Sequence, residues 1–163
     1  MTNIKPIKDI LGDILADTFA TYVQVLPHGL RLPAGSVIPQ ITGELFRSSP
    51  ARTLYKNGKP SCRSLDGVRS LKTKKACSSC RNRNKCTPQF RLDLMHSAGL
   101  LRFLLAYTSA RNYMSFLSSL HRQQCPVEGS TITIDVIDRG HWGELRFAHL
   151  NGEKTAGDGH TDG

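Results

Sequence analysis

Four cysteines, Cys62, Cys77, Cys80 and Cys86, fall in one polar stretch with the pattern C-x14-C-x2-C-x5-C. A C-x2-C pair lets two thiolates converge on one ion from a tight turn. Two more thiolates complete the tetrahedral set that structural zinc takes. Disulfides are the competing use, but the first twenty residues show no basic-then-apolar leader, so a reducing, cytoplasmic setting is expected. A redox-active pair would sit at a helix start beside a strand, whereas this one lies in basic, polar sequence. Apolar residues are few here, Val68, Leu71 and Ala76 among them, and a bound metal would supply the missing folding free energy. The expectation is one structural zinc ion on Cys62, Cys77, Cys80 and Cys86, with no open position and no catalysis. Cys125, beside Pro126, reads as an unpaired structural thiol.

Lys72, Lys74, Lys75, Arg81, Arg83 and Lys85 are interleaved with those cysteines. From Arg47 to Arg91 there are thirteen basic residues and one acid, Asp66, whereas the remainder holds nine basic and twelve acidic residues. A polyanion partner accounts for such a split, because each phosphate neutralised releases condensed counterions. Six cations also exceed what the net charge of a four-thiolate zinc centre needs. Among the aromatic residues near basic ones, Tyr55 in the polar stretch and Trp142 at a hairpin turn are the best candidates for stacking on bases. Phe46, Phe90, Phe103, Tyr107 and Phe147 are further candidates, each also a reasonable core residue.

Catalytic patterns are sparse. Asp93, Asp135, Asp138 and Glu144 could in principle build a two-metal nuclease centre, but no compact acidic cluster is visible. There is no H-E-x-x-H, and Lys56, Asn57, Gly58 and Lys59 lack the spacing of a phosphate-binding loop. The expectation is a protein that binds and does not catalyse.

The elements that must hold these residues can be read from periodicity. A chain of 163 residues suits one domain with an elaboration. Residues 1–26 hold Ile7, Ile10, Leu11, Ile14, Leu15 and Phe19 at helical spacing, an amphipathic helix for internal packing, partner docking or self-association. Residues 27–43 are broken by Pro and Gly, with "SVIPQIT" an edge-strand candidate. A basic insertion spans about 50–88, and the main domain runs over 27–150. "FRLDLMH" and "LLRFLLAYT" read as strands, and "SARNYMSFLSSLHRQQ" as a helix capped by Ser109. "STITIDVIDR" and "WGELRFAHL" form a hairpin around Gly140. Residues 151–163 read as a flexible tail. No apolar run is long enough to span a membrane. The order is that of a mainly β, OB-like five-stranded barrel with one central helix and a zinc-binding insertion after its first strand; an open α+β sheet is the alternative.

"KPSCRSLDG", "ACSSCRNRNKC", "LLRFLLAYTSARNYMSFLSSL" and "TITIDV" resemble a group of small phage and mobile-element proteins with a four-cysteine frame. More distantly, the chain is similar to phage single-stranded DNA-binding proteins that carry a zinc subdomain inserted in an OB fold. The resemblance covers roughly residues 35–150. It implies Cys62, Cys77, Cys80 and Cys86 as zinc ligands and single-strand binding in replication or recombination. It departs from the best-known phage binder, whose zinc set includes a histidine, and the chain lacks a long acidic tail.

The function expected is therefore single-stranded DNA binding with little sequence preference, RNA not being excluded. Lys72, Lys74, Lys75, Arg81, Arg83 and Lys85 would meet phosphates, and Tyr55 and Trp142 would meet bases. The alternative is a zinc-containing adaptor that docks on an acidic protein or an RNA partner.

Overall fold

The computed structural model describes residues 21–150. The amphipathic helix read over 1–26 therefore falls mostly outside the described residues, as does the tail at 151–163. The part that is described, 21–26, is extended: β1 (Thr21–Tyr22) and β2 (Gln24–Leu26). β2 joins β3 (Gly29–Arg31) and β4 (Val37–Ile38) in a small antiparallel sheet. Pro39 separates β4 from the long strand that follows, β5 (Gln40–Lys56).

β5 is the organising element. Its 17 residues hydrogen-bond along one edge to β7 (Thr87–His96), through Glu44 to Thr53. Along the other edge its first residues pair with β9 (Thr131–Asp138) and its last with β6 (Lys59–Ser64). β8 (Gly99–Leu105) lies outside β7, and β10 (Gly143–His149) outside β9. Between β8 and β9 runs the single helix of the described residues, α1 (Tyr107–Arg122).

A register shift between Leu45 and Arg47 decides which side chains of β5 go where. Before it, Ile41 and Leu45 point into the apolar core. After it the phase reverses, so Ser48, Pro50, Arg52 and Leu54 face the helix side while Arg47, Ser49, Ala51 and Thr53 face away. On the helix side, Leu92, Leu94, Leu101, Phe103, Ile132, Ile134 and Leu145 are fully buried beneath Tyr113, Phe116 and Leu120 of α1. Burying one such side chain is worth roughly 1.5–3 kcal/mol, and this layer holds the sheet flat against the helix. Tyr113 anchors it, with its ring centroid 5.1 Å from that of Phe147 and its hydroxyl donating to Ser48 at 2.7 Å.

β7, β8, α1, β9 and β10 stand where periodicity places strands and helix, but two expectations are corrected. The OB-like barrel does not form. The main sheet is open, in the order β1-β8-β7-β5-β9-β10, with β6 also on β5. The outer edge of β8 is occupied by β1 in parallel, at Thr21–Leu101 and Tyr22–Arg102, instead of by β10. The chain then passes β10 at Gly143, where the Leu26 carbonyl approaches too closely for any Cβ, yet no ladder joins the two. Second, Ser109 does not cap α1. The cap position is Ala106, with no side-chain bond, and the Ser109 hydroxyl instead accepts from the Leu145 N–H at 3.1 Å. Within the stretch 50–88, the first residues complete β5 and form β6.

Candidate nucleic-acid interface

Beyond β6 the chain makes an excursion over residues 65–86 that has little apolar content and is held by hydrogen bonds. Asp66 opens it. Its carboxylate accepts from the Val68 and Arg69 N–H groups at 2.7 and 2.9 Å and from the Ser64 hydroxyl at 3.0 Å. Burial pushes this carboxyl up, but those three donors outweigh it and hold it below the ordinary Asp value. Ser70, nearly buried, takes the next turn, accepting from the Lys72 and Thr73 N–H groups. Bonds from Leu71 N–H to the Arg63 carbonyl and from Cys77 N–H to the Val68 carbonyl tie the excursion back to β6 and to itself. Two short 3-10 turns, Cys77–Ser79 and Arg83–Lys85, complete it.

The excursion and the β5–β6 hairpin enclose a cleft of about 390 Å³ on the helix side of the sheet. Arg52 and Lys56 enter it from β5. Arg63 of β6 borders it, but its guanidinium lies on the opposite face, with Nε donating to the Thr53 hydroxyl at 3.4 Å and Cζ 5.2 Å from the centre of the Tyr22 ring. Lys72, Lys75, Arg81 and Arg83 line the opposite wall. Seryl and threonyl hydroxyls of Ser61, Ser64, Ser70, Thr73 and Ser79 stand between the cations, and no acidic side chain lines the space. Arranged this way, the cleft can take an anion and donate hydrogen bonds to it from several sides.

The four thiols of Cys62, Cys77, Cys80 and Cys86 line this same cleft. They do not form the expected zinc centre: among the described residues no group of three or more His, Cys, Asp or Glu side chains is placed to hold a metal ion. The thiols are engaged locally instead. Cys62 Sγ lies 3.1 Å from the Ser70 hydroxyl, and Cys86 Sγ donates to the Asn82 carbonyl at 3.4 Å. Burial, and then the neighbouring Cys80 and Cys62, push the Cys86 thiol up, which favours the protonated form over a ligating thiolate. Asp66 and Ser70 satisfy backbone donors of this polar segment directly, so it holds its turns with few apolar residues and no metal-binding group.

The remaining residues expected at the site are dispersed. Lys74 sits in the left-handed region (φ 61°) within the Ser70 turn, its carbonyl accepting from Arg69, and does not line the cleft. Lys85 ends the second 3-10 turn, also off the cleft. Tyr55 is 43% exposed near the hairpin tip, and its hydroxyl accepts from Gln89 Nε2 at 3.3 Å. Gln89 belongs with Thr53 on the face away from the cleft. Trp142 is 46% exposed in the β9–β10 turn, its carbonyl accepting from the Arg139 N–H. That turn lies beyond Gln40, at the opposite end of β5 from Tyr55. A straight strand of this length would measure roughly 50 Å. Acidic side chains surround the turn: Glu144 bonded to Arg139 at 2.6 Å, and Asp135 to Arg146 at 2.5 Å.

The acids considered for a nuclease centre are likewise apart. Asp93 is fully buried on the face away from the helix, bonded to Arg102, with Arg91 Nε at 4.0 Å. Asp135 and Glu144 hold the arginines just named, and Asp138 caps the Gly140 turn.

Reading the sequence missed Arg52 and Lys56 as members of the cleft. The signal was available: Arg52, Leu54 and Lys56 alternate along a strand, so one face presents both cations.

No protein-family model, curated protein or solved structure matches the chain. The resemblance to phage and mobile-element four-cysteine proteins is therefore corrected: neither a detectable relative nor a zinc centre supports it. Among the described residues, no helix is long and apolar enough to cross a membrane.

Proposed function

We propose that the protein binds single-stranded DNA through its phosphate backbone, without catalysis and with little sequence preference. The observation that carries this reading is the convergence of Arg52, Lys56, Lys72, Lys75, Arg81 and Arg83 on one acid-free cleft. Guanidinium groups suit phosphate oxygens in pairs, and lysines add point charge, so such a wall has no need of a base sequence. Its volume, about 390 Å³, is in the range of sites that hold one small ligand, which favours a nucleotide or so of one strand over a duplex. α1 offers Arg111, His121 and Arg122 as its cations, a poor set for reading a major groove.

Fluorescence anisotropy with a labelled oligothymidine, its duplex with oligoadenosine, and the RNA equivalent tests the reading. The single DNA strand should bind more tightly than the duplex, with affinity falling steeply as salt rises. Equal or tighter duplex binding refutes the single-strand assignment. Absence of binding to all three at low salt points instead to an acidic protein as the partner of the cleft.

A further inference from the structure

A cleft that takes phosphates leaves the bases without a seat, since Tyr55 and Trp142 both lie off it. A second depression, of about 540 Å³, opens beside it on the same face of the sheet. Pro50 and Pro88, on neighbouring strands, form part of its floor; Pro50 pairs with Phe90, and Arg52 with Pro88. α1 contributes Tyr107, Arg111 and Met114, spaced four and three residues apart on one helical stripe. No acidic side chain lines the groove. Arg52 lines both spaces, so the groove adjoins the cleft at that residue.

Tyr107 is unusual twice over. It is 77% exposed, the most exposed large apolar side chain among the described residues, and its backbone lies at φ 49°. That left-handed conformation is unfavourable for a residue bearing a Cβ and is retained where surrounding structure imposes it, often at binding sites. The result is a flat ring held out at the start of α1, flanked by two cations and floored by proline.

We infer that this groove seats a nucleobase of the strand whose phosphates occupy the cleft. The Tyr107 ring is the stacking platform, Met114 and the prolines cover the base edges, and Arg52 and Arg111 meet the flanking phosphates. The inference rests on the single-strand reading above and adds to it the place where bases are gripped. Charge selects the occupant: an exposed aromatic ring with two arginines and no acid suits a base carried on phosphates.

The test compares oligothymidine with an abasic phosphodiester of equal length, on wild type, Tyr107→Ala and Tyr107→Phe, with circular dichroism to confirm folding. Tyr107→Ala should weaken oligothymidine binding roughly 5- to 150-fold, leaving its salt slope and the abasic affinity unchanged. Tyr107→Phe, which keeps the ring, should stay close to wild type. An unchanged affinity in Tyr107→Ala, or an equal loss on both oligomers, overturns the groove and leaves the single-strand reading standing. Wild type that binds neither oligomer overturns that reading itself. Photocrosslinking of wild type to an iodouracil-substituted strand needs no variant: an adduct on the Tyr107 peptide supports the assignment, and adducts confined to other segments refute it.

Discussion

Arg102 and Asp93 stand directly opposite each other on β8 and β7, with Nε and Nη2 of the guanidinium donating to the two carboxylate oxygens at 2.8 and 3.0 Å. Both side chains are buried. Burial disfavours the charged guanidinium, but the carboxylate outweighs it and drives Arg102 above its ordinary value. The pair works against the solvent it has lost, so breaking it is expensive. Arg102→Met should destabilise the protein by about 3–5 kcal/mol. Asp93→Asn should cost more, because that carboxylate also serves Arg91. Urea unfolding monitored by circular dichroism measures both, and equal midpoints for wild type and Asp93→Asn would contradict the account.

Asp66 makes the excursion acid-sensitive. Its carboxyl is held below the ordinary value of 3.8, so the stability it contributes is present above that pH and is lost as pH falls toward the folded-state value. Amides of Val68 and Arg69 should lose hydrogen-exchange protection below about pH 3.8. Asp66→Asn should show weaker protection at neutral pH and no further loss over that acid range.

At the other end of the scale, burial pushes the Tyr113 phenol up to about 12 from 10.0, although the Ser48 hydroxyl pulls the other way. A raised phenol favours the folded state below the unfolded value, and the benefit disappears as pH climbs from 10.0 to about 12. Tyr113→Phe should lose about 1 kcal/mol at neutral pH with the Ser48 hydrogen bond, and its stability should not share the alkaline decline. Phenolate absorbance alongside thermal melts at several alkaline pH values reads both effects.

Lys72 and Lys75 line the cleft, and Lys74 between them does not. Neutralising Lys72 and Lys75 together should reduce the magnitude of the log–log salt slope for single-stranded DNA by at most about 1.4, at about 0.7 per phosphate contact. Lys74→Gln should change it less than either single substitution in the cleft. A larger effect from Lys74 would place the strand on the outer side of the turn.

Strands with strong alternation, such as 90–96 and 131–138, are legible because every second residue is apolar. The hairpin formed by 52–64 is hidden: Arg52, Lys56, Lys59 and Arg63 give it the composition of a loop, and part of its pairing is supplied by neighbours in space. The bulge at Phe46 leaves no local mark either, yet it decides that Arg52 faces the helix while Arg47 faces away. Closure of a barrel depends on which strand reaches the outer edge of β8, and the two residues Thr21 and Tyr22 are too short a run to announce themselves. Cysteine spacing is legible, but spacing does not show whether thiols point at a common centre or at Ser70 and Asn82. The charge of the cleft was visible, and the base groove was half-visible, since Tyr107 was one aromatic among many.

The length of β5 also governs the order in which the chain can assemble. Its contacts come at three sequence separations: Arg63 with Thr53, 10 residues apart; Gln89 with Thr53, 36 apart; and Thr133 with Thr42, 91 apart. Closing a loop costs entropy that grows with the logarithm of its length, so the β5–β6 hairpin is the cheapest to nucleate and the β9 pairing the dearest. During synthesis the basic hairpin can form while β9 is still to be made, and β5 then waits with its first residues unpaired along one edge. Until Thr133 meets Thr42, that edge is open to pairing with another nascent chain.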